Sequence, residues 1–232
     1  MRTIKTNLTF NIGDAYVPVY EYIMKQAGIN ISSVTSDGKM SNVSVSIPLP
    51  ERLYWDVRYH SMGLTSHERR DMMFEEVTLK PYLSAGGKLL DFGCGLGRHT
   101  AWLSDFSDYY GADTSEYATS HAVSGHKYFP IKDKLPFQDG IFQTVFSCQV
   151  LKHILEDEDL KFWARELARV TAPHGIHVHY DVTWASTPTE EHVTLRPKEV
   201  IINIFRDAGI VLDADDYPYR DDLRTVLYGL KE

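Results

Sequence analysis

The stretch Lys88-Leu-Leu-Asp-Phe-Gly-Cys-Gly-Leu-Gly-Arg-His99 decides the fold. Leu89–Phe92 is a short apolar run with one acid, Asp91. Gly93, Gly95 and Gly97 follow at once, and a helical pattern begins at Arg98. A strand that runs through glycines into a helix is the corner of an open parallel sheet, where ligands sit beyond the strands' carboxyl ends. Glycine serves there because the chain must turn tightly and approach a ligand with bare backbone. A dinucleotide loop, Gly-x-Gly-x-x-Gly, would place its third glycine at position 98, which is Arg98. A P-loop would need Gly-Lys-Ser/Thr, and the stretch lacks it. The spacing therefore points to a nucleoside cofactor without a tightly seated pyrophosphate and disfavours a nicotinamide oxidoreductase.

Outward from this corner, short apolar runs alternate with amphipathic helices. Strands are expected over Lys88–Phe92, Asp108–Ala112, Tyr128–Ile131, Phe142–Ser147 and Ile176–Val182, and helices over Arg98–Asp105, Glu116–Val123 and Asp157–Val170. Such alternation implies a parallel sheet with right-handed crossovers. The end differs: helix Pro197–Ala208, strand Ile210–Leu212, a loop with Asp213, Asp215 and Asp216, then strand Thr225–Leu230. With no helix between the last two strands, they can pair antiparallel. Before the corner, Arg52–Tyr59 and Ser66–Tyr82 read as helices, the second with Arg69 and Glu75 on an exposed face.

Residues 1–50 read differently. Thr3–Phe10 alternates like a strand, and Asp14–Gln26 is a helical pattern that Asp14 caps and Gly28 ends. Ile29–Thr35 and Met40–Ile47 flank Asp37-Gly38, a strong hairpin signal, and Pro48 and Pro50 close the region. The expected division is an extension over 1–50 and a main domain over 51–232. The extension is too small for a core of its own, which points to a lid or a homodimer contact.

Composition narrows the partners. The 232 residues carry a net charge of −8, with scattered basic residues, which argues against a nucleic-acid backbone or an anionic membrane. No stretch approaches the roughly 20 apolar residues of a membrane span. The two cysteines, Cys94 and Cys148, fit neither a metal motif nor a disulfide framework, so a cytoplasmic setting is expected. His177, His179 and Asp181 alternate along one strand and share a face. Buried histidines bonded to each other are expected there rather than a metal, and no metal is assigned.

The glycine corner resembles motif I of the class I S-adenosylmethionine-dependent methyltransferases, hydrophobic-hydrophobic-Asp-x-Gly-x-Gly-x-Gly-Arg. The resemblance continues in order through Tyr110-Gly-Ala-Asp113-Thr-Ser-Glu-Tyr117, Lys134-Leu-Pro-Phe137 with Asp139-Gly-Ile-Phe142-Gln-Thr-Val145, Gln149-Val-Leu-Lys-His153, and Ala168-Arg-Val-Thr-Ala-Pro173-His-Gly175. It implies a Rossmann-like, doubly wound α/β fold: a mainly parallel seven-stranded sheet with an antiparallel last strand. It also implies S-adenosylmethionine as cofactor and methyl transfer to a small-molecule acceptor. The alternative is a non-catalytic S-adenosylmethionine-binding or partner subunit of the same fold. Three departures from the family pattern motivate it: Ile131 where an acid is common, Gln143 where Asp is common, and His174 where Gly is common.

The resemblance also assigns residues. Asp91 would accept from the cofactor's ammonium or, as a buried acid, cap the glycine loop's amides. Gly93, Gly95 and Gly97 would allow close backbone approach. Asp113 would take the ribose hydroxyls, with Thr114 beside it and Ser115 or Thr114 free to cap the next helix. The region of Leu135 would meet the adenine, and Gln149 would lie beside the sulfonium. Tyr54, Trp55 and Tyr59 would shield that sulfonium, and Arg58 would pair with the methionine carboxylate. His153 is the candidate acid-base residue, with a packing histidine as the other reading. Cys148 is not expected to be a nucleophile. Asp181, Tyr180 and Trp184 are candidates to line the site.

Overall fold

The computed structural model describes residues 3–13, 17–18, 21, 30–62, 66–185, 192–219 and 222–232. Its contacts divide into two units, Met1–Trp55 and Asp56–Glu232. In the first, β1 (Thr3–Gly13), β2 (Asn30–Ser36) and β3 (Met40–Pro50) form an antiparallel sheet in the order β1-β3-β2. The Asp-Gly signal makes the β2–β3 turn. Gly38 adopts φ 90°, and Asp37 Oδ1 accepts from the amides of Met40 and Lys39. Most of the helix expected over Asp14–Gln26 lies outside the described residues.

Helices α1 (Glu51–Met62) and α2 (Ser66–Leu79) lead into the large sheet. The chain then runs through β4 (Lys88–Phe92), α3 (Thr100–Leu103), β5 (Asp108–Asp113), α4 (Glu116–His121), β6 (Lys127–Pro130) and β7 (Phe142–Cys148). It continues through α5 (Asp157–Val170), β8 (Thr171–Ala185), α6 (Lys198–Asp207), β9 (Ile210–Tyr219) and β10 (Asp222–Lys231). The seven strands are ordered β6-β5-β4-β7-β8-β10-β9. Pairing is parallel from β6 to β8, and β10 runs antiparallel to both β8 and β9. The strand order reverses at β4, which places the glycine corner at the topological switch.

The helix expected over Arg98–Asp105 is much shorter. Successive turns, with Gly97 N on Cys94 O and Thr100 N on Gly97 O, hold the chain until α3 begins at Thr100. Of the departures from the family pattern, Gln143 has a structural role, and His174 takes a backbone conformation that glycine would hold with less strain. Gln143 Oε1 accepts from Lys88 N at 2.7 Å, fastening the start of β4 to β7. His174 adopts φ 60°, the left-handed conformation that favours glycine.

Both faces of the sheet are covered. Leu90 and Phe92 pack with α5 and α6, and Leu89 packs on the other side with Leu79, Trp102 and Phe146. Helix α5 turns Leu160, Ala164, Leu167 and Ala168 inward, the spacing of one helical face. The polar exception is a line of four buried side chains between β7 and β8. Thr171 Oγ1 donates to Leu167 O (2.6 Å), so it accepts from His177 Nε2 (3.0 Å). His177 Nδ1 then accepts from His179 Nε2 (3.2 Å), and His179 Nδ1 accepts from Ser147 Oγ (2.8 Å). Both rings use both nitrogens and have none left for a metal.

Burial keeps these histidines neutral and holds His179 down to about 3, against 6.5 ordinarily. The unfolded chain takes up the proton near 6.5 and the folded chain does not. The resulting stability is full above that pH and is lost as pH falls toward 3. Denaturant titrations of wild type and His179→Asn should therefore show a stability gap that narrows by roughly 1 kcal/mol per pH unit below about 6. A gap that stays constant from pH 7 to 4 would refute the neutral assignment.

Candidate cofactor site

The glycine corner is held by the carboxyl end of β5. Gly93 N and Cys94 N both donate to Ala112 O, at 2.7 and 3.2 Å. Gly95 N donates to Asp113 Oδ2 at 2.8 Å, while Ser115 N donates to Asp113 Oδ1 at 2.9 Å. Gly93, Gly95 and Gly97 all have positive φ, at 76°, 53° and 80°. Their surroundings differ. A Cβ on Gly93 would lie 2.4 Å from Val150 Cγ2, and one on Gly97 would lie 2.5 Å from Tyr128 Oη. These two let neighbouring chain pack close. A Cβ on Gly95 would meet Tyr59, 2.7 Å from its hydroxyl.

Two acids stand at this corner, both buried. Asp91 Oδ2 accepts from Tyr109 Oη at 2.8 Å. Because the loop amides go to Ala112 O and Asp113, capping falls to Asp113 and not to Asp91. Burial pushes Asp91 up to about 7 and Asp113 up to about 6. The amides of Ser115, Gly95 and Thr114 limit the rise at Asp113. Each oxygen of Asp113 takes one amide and keeps a second lone pair for a ligand's hydroxyl. Ser115 caps α4, its Oγ accepting from Ala118 N at 2.9 Å, so Asp113 is not needed as the helix cap.

The segment after β7 forms the adjoining wall, with Val150 against Gly93. Gln149 has φ 60°, and its amide donates to Tyr180 O at 2.7 Å. Its Oε1 accepts from Lys152 Nζ at 2.5 Å, while its Nε2 is buried with no hydrogen-bond partner. Burial lowers the Lys152 pKa. Asp181, at the far end of β8, shapes this wall: its Oδ2 accepts from the amides of Leu151 (2.6 Å) and Lys152 (3.3 Å).

Other expected residues fall differently. His153 Nδ1 donates to His192 O at 2.9 Å, and the two rings stack at 5.4 Å. Burial, aided by the Lys152 charge, holds His153 down to about 3, in keeping with the packing reading. Arg58 is half-buried and its charge is felt at Tyr59 and His153. Leu135 lies in the core, its amide on Glu166 Oε2 and its carbonyl on Arg169 Nη2. Those contacts commit Leu135 to the fold. Tyr180 is buried in the core, and Trp184 is 56% exposed.

A cluster that the sequence reading missed lies on the α2 side. Glu75, assigned there to an exposed face, is only 1% exposed. Its carboxylate meets Arg98 Nη2 at 3.1 Å, His99 Nε2 at 3.5 Å and Arg224 Nη1 at 3.8 Å. Arg98 Nη2 also lies 3.2 Å from Cys148 Sγ. Glu75, His99 and Cys148 bring potential ligand atoms within 4.8 Å of one another. The chemistry nevertheless opposes a cation. Trp102 Nε1 donates to His99 Nδ1 (3.2 Å), so the ring proton sits on Nε2, facing Glu75. Burial pushes the Cys148 thiol up, and two guanidinium groups already surround the acid. The arrangement is an ion-paired floor.

Removing that acid takes an ion-pair partner from two partly buried cations. Glu75→Ala should cost about 3–5 kcal/mol of unfolding free energy, and Glu75→Gln clearly less. Denaturant melts would decide it; a loss under about 1 kcal/mol in Glu75→Ala would show that the cluster is not coupled to folding.

Residues 90–179 match the methyltransferase-domain family model. A curated relative, methyltransferase GfsG of Streptomyces halstedii, is 28% identical over 120 residues, 47% of this chain and 42% of that protein. The chain thus matches less than half the length of that relative. Among solved structures, PH0226 from Pyrococcus horikoshii OT3 superposes with TM-score 0.62 at 21% identity, covering 77% of this chain and 99% of that one. The [4+2]-cyclase SpnF superposes with TM-score 0.60 at 18% identity, covering 73% and 84%. At these identities the structures speak for the fold. Among the described residues, no helix is long and apolar enough to cross a membrane. With a strand order that reverses at the glycine corner and an acid ending β5, the seven-stranded unit has a methyltransferase-like fold, and its residues 90–179 match the methyltransferase-domain family model.

Proposed function

We propose that this chain binds S-adenosylmethionine at Gly93–Gly97 and transfers its methyl group to a small-molecule acceptor. The observation that carries the reading is Asp113. It is buried beside the glycine loop, its position is fixed by two backbone amides, and it keeps lone pairs for a ribose diol. Gln149 Nε2 offers a buried donor in the wall after β7. These residues fit the cofactor. When bound, S-adenosylmethionine supplies a methyl group on a positively charged sulfur.

The chain's part is to hold and orient, because a sulfonium leaves readily and alignment of the acceptor supplies most of the acceleration. Asp91, kept near neutral pKa by burial and hydrogen-bonded by Tyr109, supports a positive group at the end of β4. With His153 too weak a base, an acceptor that is already nucleophilic fits best. The acidic surface, with a net charge of −8, supports a small acceptor over a nucleic acid.

The non-catalytic reading rested on three departures. Gln143 has a structural role away from the cofactor loop, which leaves Ile131 and His174. Calorimetry with S-adenosylhomocysteine tests the binding part. Asp113→Ala should weaken affinity at least about tenfold, the usual scale for losing charge-assisted hydrogen bonds. An unchanged affinity would remove Asp113 from the site. Ribose hydroxyls favour the ionised carboxylate, and Asp113 titrates at about 6 without ligand. Affinity should therefore fall as pH drops below about 6, and more shallowly in Asp113→Asn, which keeps only the dependence carried by other groups such as Asp91. Release of S-adenosylhomocysteine from S-adenosylmethionine in the presence of hydroxy-, amino- and thiol-bearing small molecules tests the transfer. Binding without release for any acceptor class would favour the non-catalytic reading.

A further inference from the structure

Asp56 lies in α1, three residues before Tyr59. Its Oδ1 accepts from Ser115 Oγ at 2.5 Å and from Tyr117 N at 3.0 Å. Ser115 is wholly buried, and the same hydroxyl oxygen accepts from Ala118 N. Asp56 is thereby fastened to the chain just past Asp113. Residues three apart on a helix share a face. On that face Tyr59 stands over Gly95, with its hydroxyl 2.7 Å and ring carbons 3.0 Å from where a Cβ would be. Burial first and the Asp113 charge second push the Tyr59 hydroxyl's pKa up. One face of α1 thus reaches both halves of the loop: Asp56 holds the segment after β5, and Tyr59 covers the glycine.

We propose that Asp56 is a positioning residue, a clasp that holds α1 over the cofactor loop and so sets how fast the cofactor leaves. This rests on the reading of Gly93–Gly97 as the S-adenosylmethionine site. The clasp acts through geometry, because the charge of Asp56 works in the opposite direction. That charge raises the Asp113 pKa, so neutralising it favours the ionised Asp113 that a ribose requires. Asparagine keeps an oxygen that can accept from both Ser115 Oγ and Tyr117 N; alanine keeps nothing. The two variants therefore separate a clasp from a charge effect.

The test is the dissociation rate of S-adenosylhomocysteine from the full chain, with amide hydrogen exchange of residues 56–62 in the ligand-free protein. Asp56→Ala should release the ligand about tenfold faster, the scale of a lost hydrogen bond to a charged group. It should also exchange faster over 56–62. Asp56→Asn should stay within about threefold of wild type in both. Equal release from wild type and Asp56→Ala overturns the clasp, and so does equal acceleration in both variants. If wild type binds no S-adenosylhomocysteine, the cofactor reading fails and retention fails with it, while exchange alone still reports whether α1 is fastened. Should Asp56→Ala not fold, Asp56→Glu keeps the charge but displaces the acceptor by one methylene, and it should release several-fold faster. Release at the wild-type rate from Asp56→Glu would overturn the clasp.

Discussion

The carboxylate of Asp113 accepts one backbone hydrogen from each of two loops, Gly95 N from the corner after β4 and Ser115 N from the turn after β5. Neither loop belongs to a ladder, and neighbouring parallel strands share no turn. Beyond the amides of Gly93 and Cys94 on Ala112 O, their relative position at the carboxyl edge is set by side chains. A single buried acid does this because a carboxylate has four lone-pair directions and no hydrogens of its own at neutral pH. Burial works against its charge, and the amides work for it. The balance leaves a group pinned in place yet close to its titration point. The rest of the site is arranged around this pair of bonds: α1 is fastened just beyond it through Ser115 and Tyr117, and Gly95 presents its bare face to Tyr59.

The sheet was largely legible because its signals are local. Leu89–Phe92 is apolar, its glycines follow directly, and α5 shows a clean helical period, so strand, corner and crossover helix could be placed from neighbouring residues. The antiparallel end was legible from the missing helix between β9 and β10. Asp113 could be found for the same reason, lying at the end of a strand in a recognisable context. The helix at Arg98 was overestimated because apolar spacing cannot show that the loop's turns continue to Thr100.

What stayed hidden depended on distant partners or on reversed patterning. In α2, Met73 and Val77 are 73% and 76% exposed while Glu75 is buried, the opposite of what periodicity suggests. Arg98 and Arg224, brought in from β4's loop and from β10, help make that burial tolerable. His153 looked available from its neighbours; His192, which it stacks on, lies beyond a separate strand. Asp56 sits among aromatics that drew attention to α1, but its partners are about sixty residues away in sequence. Chemistry made by tertiary contact has no local period to read.

The placement of β10 has a consequence for how the chain assembles. It is the last strand in sequence, yet it lies inside the sheet, paired along its length with β8 on one side and β9 on the other. Strand β8, with Ile176 to Ala185 awaiting their partners, therefore presents an open edge throughout synthesis until residues 222–231 emerge. An edge of that length is a template for pairing with another chain. The β9–β10 hairpin forms from neighbouring residues and can dock as one piece, so edge exposure is ended by a local structure and not by a lone strand searching for its slot. A nascent chain stalled before residue 222 would carry the glycine corner but keep its sticky edge, which makes the last hairpin the step that separates folding from aggregation.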